Sequence, residues 1–224
     1  MLMTDTEIAE AVKSGALVIP DFEKYRAQSL QPASYDLHLG PQAFSSRRRE
    51  IIDISKEGIL VLQPGEFAIV LTHERLEMPT DIAGHFGLRS YFTRKGLIVF
   101  GGIQVDPGFR GRLKIGLYNL SPKDIALSYL EPFCTIEFHR LSQPVAEPYK
   151  GPYQDEESIT SKDLAPVLEA SGMTFGEVLK SLGTLSEQMG HLNKRFDVLS
   201  TQFKYMMAIY GGGLAFIGIM VALK

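Results

Sequence analysis

Apolar runs of strand length, each closed off by turn residues, recur from the N-terminus to about residue 150. They constrain the fold more than any other feature of the chain. "GILVLQPGEFAIVLTHERLEMP" places two such runs around Gln63-Pro64-Gly65, as a hairpin would. "KGLIVF", "GRLKIGLYNL", "DIALSYL" and "FCTIEFHRL" follow at short intervals, broken by Gly, Pro, Asn and Asp. Many short strands with frequent turns predict a mainly β sandwich or barrel rather than alternating strands and helices. The N-terminal "MLMTDTEIAEAVKSGAL" predicts a short amphipathic helix capped near Thr4 or Asp5. It does not have the apolar stretch behind positive charge that marks a signal peptide.

The chain has 224 residues, which suits one domain with an appendage. Its net charge of −3 carries no basic excess, so a nucleic-acid surface is not expected. Cys134 is the single cysteine and sits in the strand-like "EPFCTIEF", which predicts a buried structural thiol. The five histidines show no metal-ligand spacing, so no structural metal site is expected.

The pattern changes beyond the β region, giving an expected division into a head (1–150), a linker or closing tail (151–172), a stalk (173–204) and a terminal span (205–224). The stretch "QPVAEPYKGPYQDEESITSKD" is rich in Pro, Ser and charge, and reads as linker or closing tail. Phe175, Val178, Leu182, Leu185, Met189, Leu192, Phe196, Leu199, Phe203 and Met206 then alternate spacings of three and four. That heptad, with Gly176, Gly183 and Gly190 off the seam, predicts a coiled coil. From Tyr205 to Leu223 no residue is charged, close to the ~20 residues that span a bilayer. Small residues four apart (Ala208 and Gly212, Gly211 and Ala215, Gly218 and Ala222) suit helix packing in lipid. The expectation is a C-terminal tail anchor, with Lys194, Arg195 and Lys204 on the near side and the head in the cytoplasm.

"VDPGFRGRLKIGLYN" (105–119) admits two readings of Asp106. Asp-Pro-Gly is a common exit from a strand, because Pro presets φ and Gly accepts positive φ. Alternatively, Asp106 is the chemical centre of a site.

Several stretches together resemble the dCTP deaminase/dUTPase superfamily, the deaminase branch most closely. They are "QPASYDLHLG" (31–40), "LQPGEFAIVLTHERLEMP", "LRSYFTRKGL" (88–97) and "VDPGFRG" (105–111), in the order of that superfamily. The resemblance covers about residues 1–150. It implies a distorted β-barrel, a homotrimer, and sites at subunit interfaces that take pyrimidine deoxynucleoside triphosphates, dUTP or dCTP, with Mg2+ carried through the phosphates. By the same resemblance Arg89, Ser90 and Arg94 contact phosphate, for which guanidinium forks are well shaped. Asp106 aligns with the aspartate that activates water in dUTPases and helps organise the site in deaminases. Phe109 takes the aromatic position near the sugar, or is a core phenylalanine at a strand start. Tyr153 and Gln154 are the candidates for a tail that covers the nucleotide.

The chain also departs from the pattern. Deaminases carry a catalytic glutamate ten residues after the aspartate, and here that position is Gly116. Glycine cannot shuttle a proton. Glu137 stands near where dUTPases place a phosphate-contacting glutamine, and the run Asp155, Glu156, Glu157 follows where the deaminase tail is less acidic. Three functions stay open: a hydrolase releasing pyrophosphate through Asp106, a nucleotide sensor without chemistry that signals through the stalk, and a deaminase with a relocated acid/base.

Overall fold

The computed structural model describes residues 1–164, 183–202 and 204, which fall into two compact units. The first unit, 1–164 as described, is mainly β. In chain order it holds α1 (Asp5–Lys13), α2 (Phe22–Ser29), β1 (Leu30–Gln31), β2 (Ser34–Ser45), β3 (Glu50–Asp53), α3 (Ile54–Glu57), β4 (Ile59–Leu62) and β5 (Phe67–Glu77). There follow β6 (Ile82–Leu88), α4 (Ser90–Arg94), β7 (Leu97–Phe100), β8 (Gln104–Val105), β9 (Arg110–Asn119), β10 (Ile125–Ser128) and β11 (Pro132–Arg140).

A curled antiparallel sheet runs β7-β9-β5-β2-β11-β6-β8, with β1 and β3 also on β2. β2 holds the two halves together: its start pairs with β11 and its end with β5. The changeover falls at Gly40, where an added Cβ would lie 2.6 Å from the Thr72 carbonyl oxygen, so only glycine admits that approach. Alternation sorts each strand. In β9, Gly111, Leu113, Ile115, Leu117 and Asn119 are buried, while Arg110, Arg112, Lys114, Gly116 and Tyr118 take the other face. Tyr35, Phe44, Phe92, Phe133 and Phe138 are the bulkiest fully buried side chains, and burying each apolar side chain of this size contributes about 1.5–3 kcal/mol.

α1 begins where its cap residues predict. Thr4 and Glu7 form a reciprocal capping box, and Ile8 and Ala11 face the core. Cys134 is the buried thiol expected: its Sγ donates to the Gly87 carbonyl at 3.1 Å, and burial pushes its pKa up.

The hairpin expected around Gln63-Pro64-Gly65 does not form. β4 pairs with β10, and β5 pairs with β2 and β9. The connecting turn is anchored sideways instead: the Gly65 amide donates to the Asn119 carbonyl at 2.8 Å, and the buried Glu66 carboxylate accepts from the Gln63 amide and the Ser45 hydroxyl. Those anchors send the chain from one sheet into the other.

The region expected to be a linker or closing tail is docked as far as residue 164. Ile159 is buried in a small cluster with Phe44 and Leu71, and its amide donates to Gln42 Oε1 at 3.1 Å. In the second unit residues 183–202 and 204 are helical, and Leu185, Met189, Leu192, Phe196 and Leu199 are 54–71% exposed. Phe175, Val178, Leu182, Phe203, Met206 and the uncharged segment Tyr205–Leu223 lie outside the described residues. Among the described residues no helix is long and apolar enough to cross a membrane.

Candidate nucleotide site

The turn reading of Asp106 holds, and the turn also places its side chain at a cavity. The Phe109 amide donates to the Asp106 carbonyl at 3.1 Å, closing a turn with Pro107 at its second position and Gly108, φ +83°, at its third. Positive φ at that third position is what a type II turn requires. The turn leaves the Asp106 side chain half-exposed between two cavities, of about 410 and 360 Å3. Gln104 Nε2 donates to Asp106 Oδ1 at 2.6 Å, which orients the carboxylate from β8, two residues back along the chain.

The larger cavity lies on the outward face of β9 and includes Phe109, Arg112, Lys114, Gly116, Tyr149 and Tyr153 in its wall. Phe109 is the core phenylalanine of one expectation, and it also reaches the cavity. It belongs to the hydrophobic core, yet its ring edge meets Tyr149 at 5.7 Å at the cavity wall. Gly116, on the same face, is closed over. Phe100 of β7 pairs with it, and a Cβ added at Gly116 would collide with the Phe100 carbonyl oxygen. A glutamate there needs the edge strand to move.

The tail returns to this turn. Tyr149 donates its amide to the Pro107 carbonyl at 2.8 Å. Gln154 Oε1 accepts from the Arg110 amide at 3.0 Å, while its Nε2 donates to the Gly108 carbonyl at 2.9 Å. Gln154 therefore pins the tail to the Asp106 turn, and Tyr153 stands half-exposed beside Lys114, whose Nζ is 5.6 Å from the ring centre. Burial works against the Lys114 charge, but hydrogen bonds to Asp163 and Glu156 outweigh it and hold its pKa above the ordinary lysine value.

Arg89, Ser90 and Arg94 stand elsewhere in the chain. Arg89 pairs with the buried Asp36 at 3.1 Å and donates to the Pro132 carbonyl at 3.2 Å. Ser90 and Arg94 are exposed at the two ends of α4. None of the three lines the cavity that holds Asp106, Phe109 and Tyr153. Within one chain, the expected phosphate cluster and the expected aspartate are separate.

Among the described residues no group of three or more His, Cys, Asp or Glu side chains is arranged to hold a metal ion.

The curled antiparallel sheet, and the Asp-Pro-Gly turn opening onto a cavity under the returning tail, define the class: a dCTP deaminase/dUTPase-type β fold. Residues 2–141 match the family described as dCTP deaminase-like. The chain is 40% identical over 160 residues to a dCTP deaminase of Pyrococcus abyssi, covering 71% of this chain and 96% of that protein. It is 44% identical over 133 residues to a dCTP deaminase of Pyrococcus furiosus, covering 59% and 83% respectively. The crystal structure of the 2'-deoxycytidine 5'-triphosphate deaminase from Agrobacterium tumefaciens matches with a TM-score of 0.52 at 19% identity, over 75% of this chain and 52% of that one. The chain belongs to the dCTP deaminase-like family.

Residues that the sequence reading did not single out also line the cavity, notably Gln104, Arg112, Lys114 and Asp163. The signal for two of them was present: in "RGRLK" the cations fall at alternate positions, which in a strand puts Arg110, Arg112 and Lys114 on one face. Asp163 carried no local signal, since its place depends on the tail folding back.

Proposed function

We propose that this protein binds a pyrimidine deoxynucleoside triphosphate, dCTP in the first place, at the Asp106 cavity without deaminating it. The observation that carries this is Gly116 under the Phe100 carbonyl. The position holds no acid/base and has no room for one, so a cytosine amino group would meet no proton shuttle there. Asp163, the other carboxylate in the cavity wall, does not replace it, because it is engaged by Lys114. The name of the relatives supports dCTP as ligand, and Gln104 with Asp106 offers an amide and a carboxylate to a base or sugar. Separation of Arg89, Ser90 and Arg94 from Asp106 within one chain supports a homotrimer whose sites are completed by a neighbouring subunit.

The exposed seam Leu185, Met189, Leu192, Phe196 and Leu199 supports a three-stranded stalk on the same symmetry axis. The uncharged segment 205–223 supports membrane anchoring, with the head on the cytoplasmic side. In that arrangement the protein reports nucleotide binding to the membrane, provided the ligand favours one stalk arrangement over another.

A second reading is hydrolysis to the monophosphate and pyrophosphate. It is favoured by the Asp106 carboxylate, half-exposed at the cavity and able to orient water. Magnesium would neutralise the phosphates in either case. The test uses the full chain in detergent with magnesium and dCTP, dUTP or dTTP, measuring binding by calorimetry and products by chromatography. Binding of dCTP with no product supports the sensor. A monophosphate that disappears in Asp106→Asn establishes the hydrolase instead, and ammonia release from dCTP overturns the loss of deamination.

A further inference from the structure

The acidic run that follows Gln154 meets a set of cations. Arg110, Arg112 and Lys114 point from one face of β9, and Arg75 of β5 is the register partner of Arg112. Asp155 is 2.7 Å from Arg110 and 3.0 Å from Arg75. Glu157 is 2.6 Å from Arg75 and 3.0 Å from Arg112. Lys114 is held by Glu156, and by Asp163 at 2.7 Å. Every cation of this ladder is thus answered by a carboxylate of the tail, and Arg75 has Glu77 beside it as well.

The backbone makes the arrangement specific. β7 covers β9 only from Gly116 to Asn119. The free edge above is taken by the tail: Asp155 donates its amide to the Arg110 carbonyl at 2.7 Å, and Arg112 donates to the Glu156 carbonyl at 3.0 Å. Gly111, φ +143°, has no side chain to obstruct this, since a Cβ there would lie 3.0 Å from the Glu156 oxygen. Arg112 and Lys114 also form part of the cavity wall, so the ladder borders the site where a nucleotide is proposed to sit.

Phosphate oxygens and carboxylates compete for the same guanidinium and ammonium donors. We propose that the acidic strap Asp155–Asp163 is an internal competitor for the ladder Arg75, Arg110, Arg112 and Lys114, so that a polyphosphate ligand and the docked strap exclude one another. This rests on the nucleotide reading for its natural ligand but not for its physics. With the strap down, the ladder's charge is balanced; with the strap up, it is a cationic surface beside the cavity. Most of these pairs are partly solvated and individually weak, which suits a contact that has to open.

The test compares the full chain with Asp155→Asn/Glu156→Gln/Glu157→Gln, using inorganic triphosphate and dCTP as separate probes. Calorimetry is expected to show at least about tenfold tighter triphosphate binding in the neutralised variant. In the unaltered chain, amide hydrogen exchange over residues 150–163 is expected to accelerate at saturating triphosphate. This second measurement does not depend on the variant folding. Slower exchange of the strap with triphosphate, or a variant that binds no tighter, overturns the competition. If dCTP binds no better than inorganic triphosphate while the strap still opens, the nucleotide reading fails and the competitor stands. If dCTP binds well with the strap protected, the reverse holds.

Discussion

Gly116 is one atom away from being a different residue, and that atom has no place to go. Restoring the glutamate of the deaminase pattern forces Cβ into the Phe100 carbonyl across the β7–β9 ladder. Gly116→Glu is therefore expected to release no ammonia from dCTP, and to lower stability by about 1–3 kcal/mol, the usual range for overpacking. Chemical denaturation and an ammonia assay on the same preparation check both parts; recovered deamination would mean that β7 yields. A second residue-scale test lies in the core. The Ser29 hydroxyl, His38 Nε2, His38 Nδ1 and Glu74 form a chain with separations of 3.2 and 2.5 Å, the order of a hydrolytic triad. All three residues are at most 1% exposed, so no substrate reaches them and the chain is structural. His38→Ala leaves Glu74 and Ser29 without this partner. It is expected to cost at least about 1–3 kcal/mol in denaturation while nucleotide binding in the surviving folded protein is unchanged.

At the scale of elements, the strap gives a pH prediction whose sign follows from its carboxyls. Arg110 holds Asp155 below its ordinary value of 3.8. Burial raises Asp163, but hydrogen bonds from Lys114 and Thr160 outweigh it, and its pKa is also lowered. Depressed carboxyls contribute to docking fully above their ordinary value, and the contribution is lost as pH falls through the lowered values. The strap is expected to stay docked down to about pH 4 and to loosen below it. Brief pepsin digestion should then cut at residues 150–164 before it cuts the sheet. Sequence reading served these elements unequally. β7, β9, β10 and β11 were legible because apolar alternation and turn residues are local signals, and α1 because its capping box lies within four residues. The β4–β5 hairpin was not, because pairing of β4 with β10 is decided by anchors from Ser45 and Asn119, far along the chain. The site divided in the same way. Asp106 and Gly116 could be read from one short stretch of sequence, whereas the ladder's partners required the tail to fold back onto it.

At the scale of the whole molecule, the deciding feature is the helix that includes residues 183–202. Its seam of Leu185, Met189, Leu192, Phe196 and Leu199 is more than half exposed in the single chain, and most helical stability in proteins comes from packing an apolar face rather than from propensity. Flanking Ser, Asn and Gln supply few charged pairs, so association must come from the seam itself. Leu192→Asp with Phe196→Asp places two carboxylates in that seam and leaves the sequence of the head unchanged. In the full chain in detergent, the pair is expected to reduce the helical circular dichroism signal and to weaken assembly on dilution at least tenfold, measured by sedimentation. Because the ligand is proposed to favour one stalk arrangement over another, nucleotide affinity is expected to shift in the same variant, by reciprocity. Unchanged helicity and unchanged sedimentation in the variant would remove the stalk from the proposed architecture. The head alone would then have to supply the threefold contacts that bring Arg89, Ser90 and Arg94 to a neighbouring Asp106.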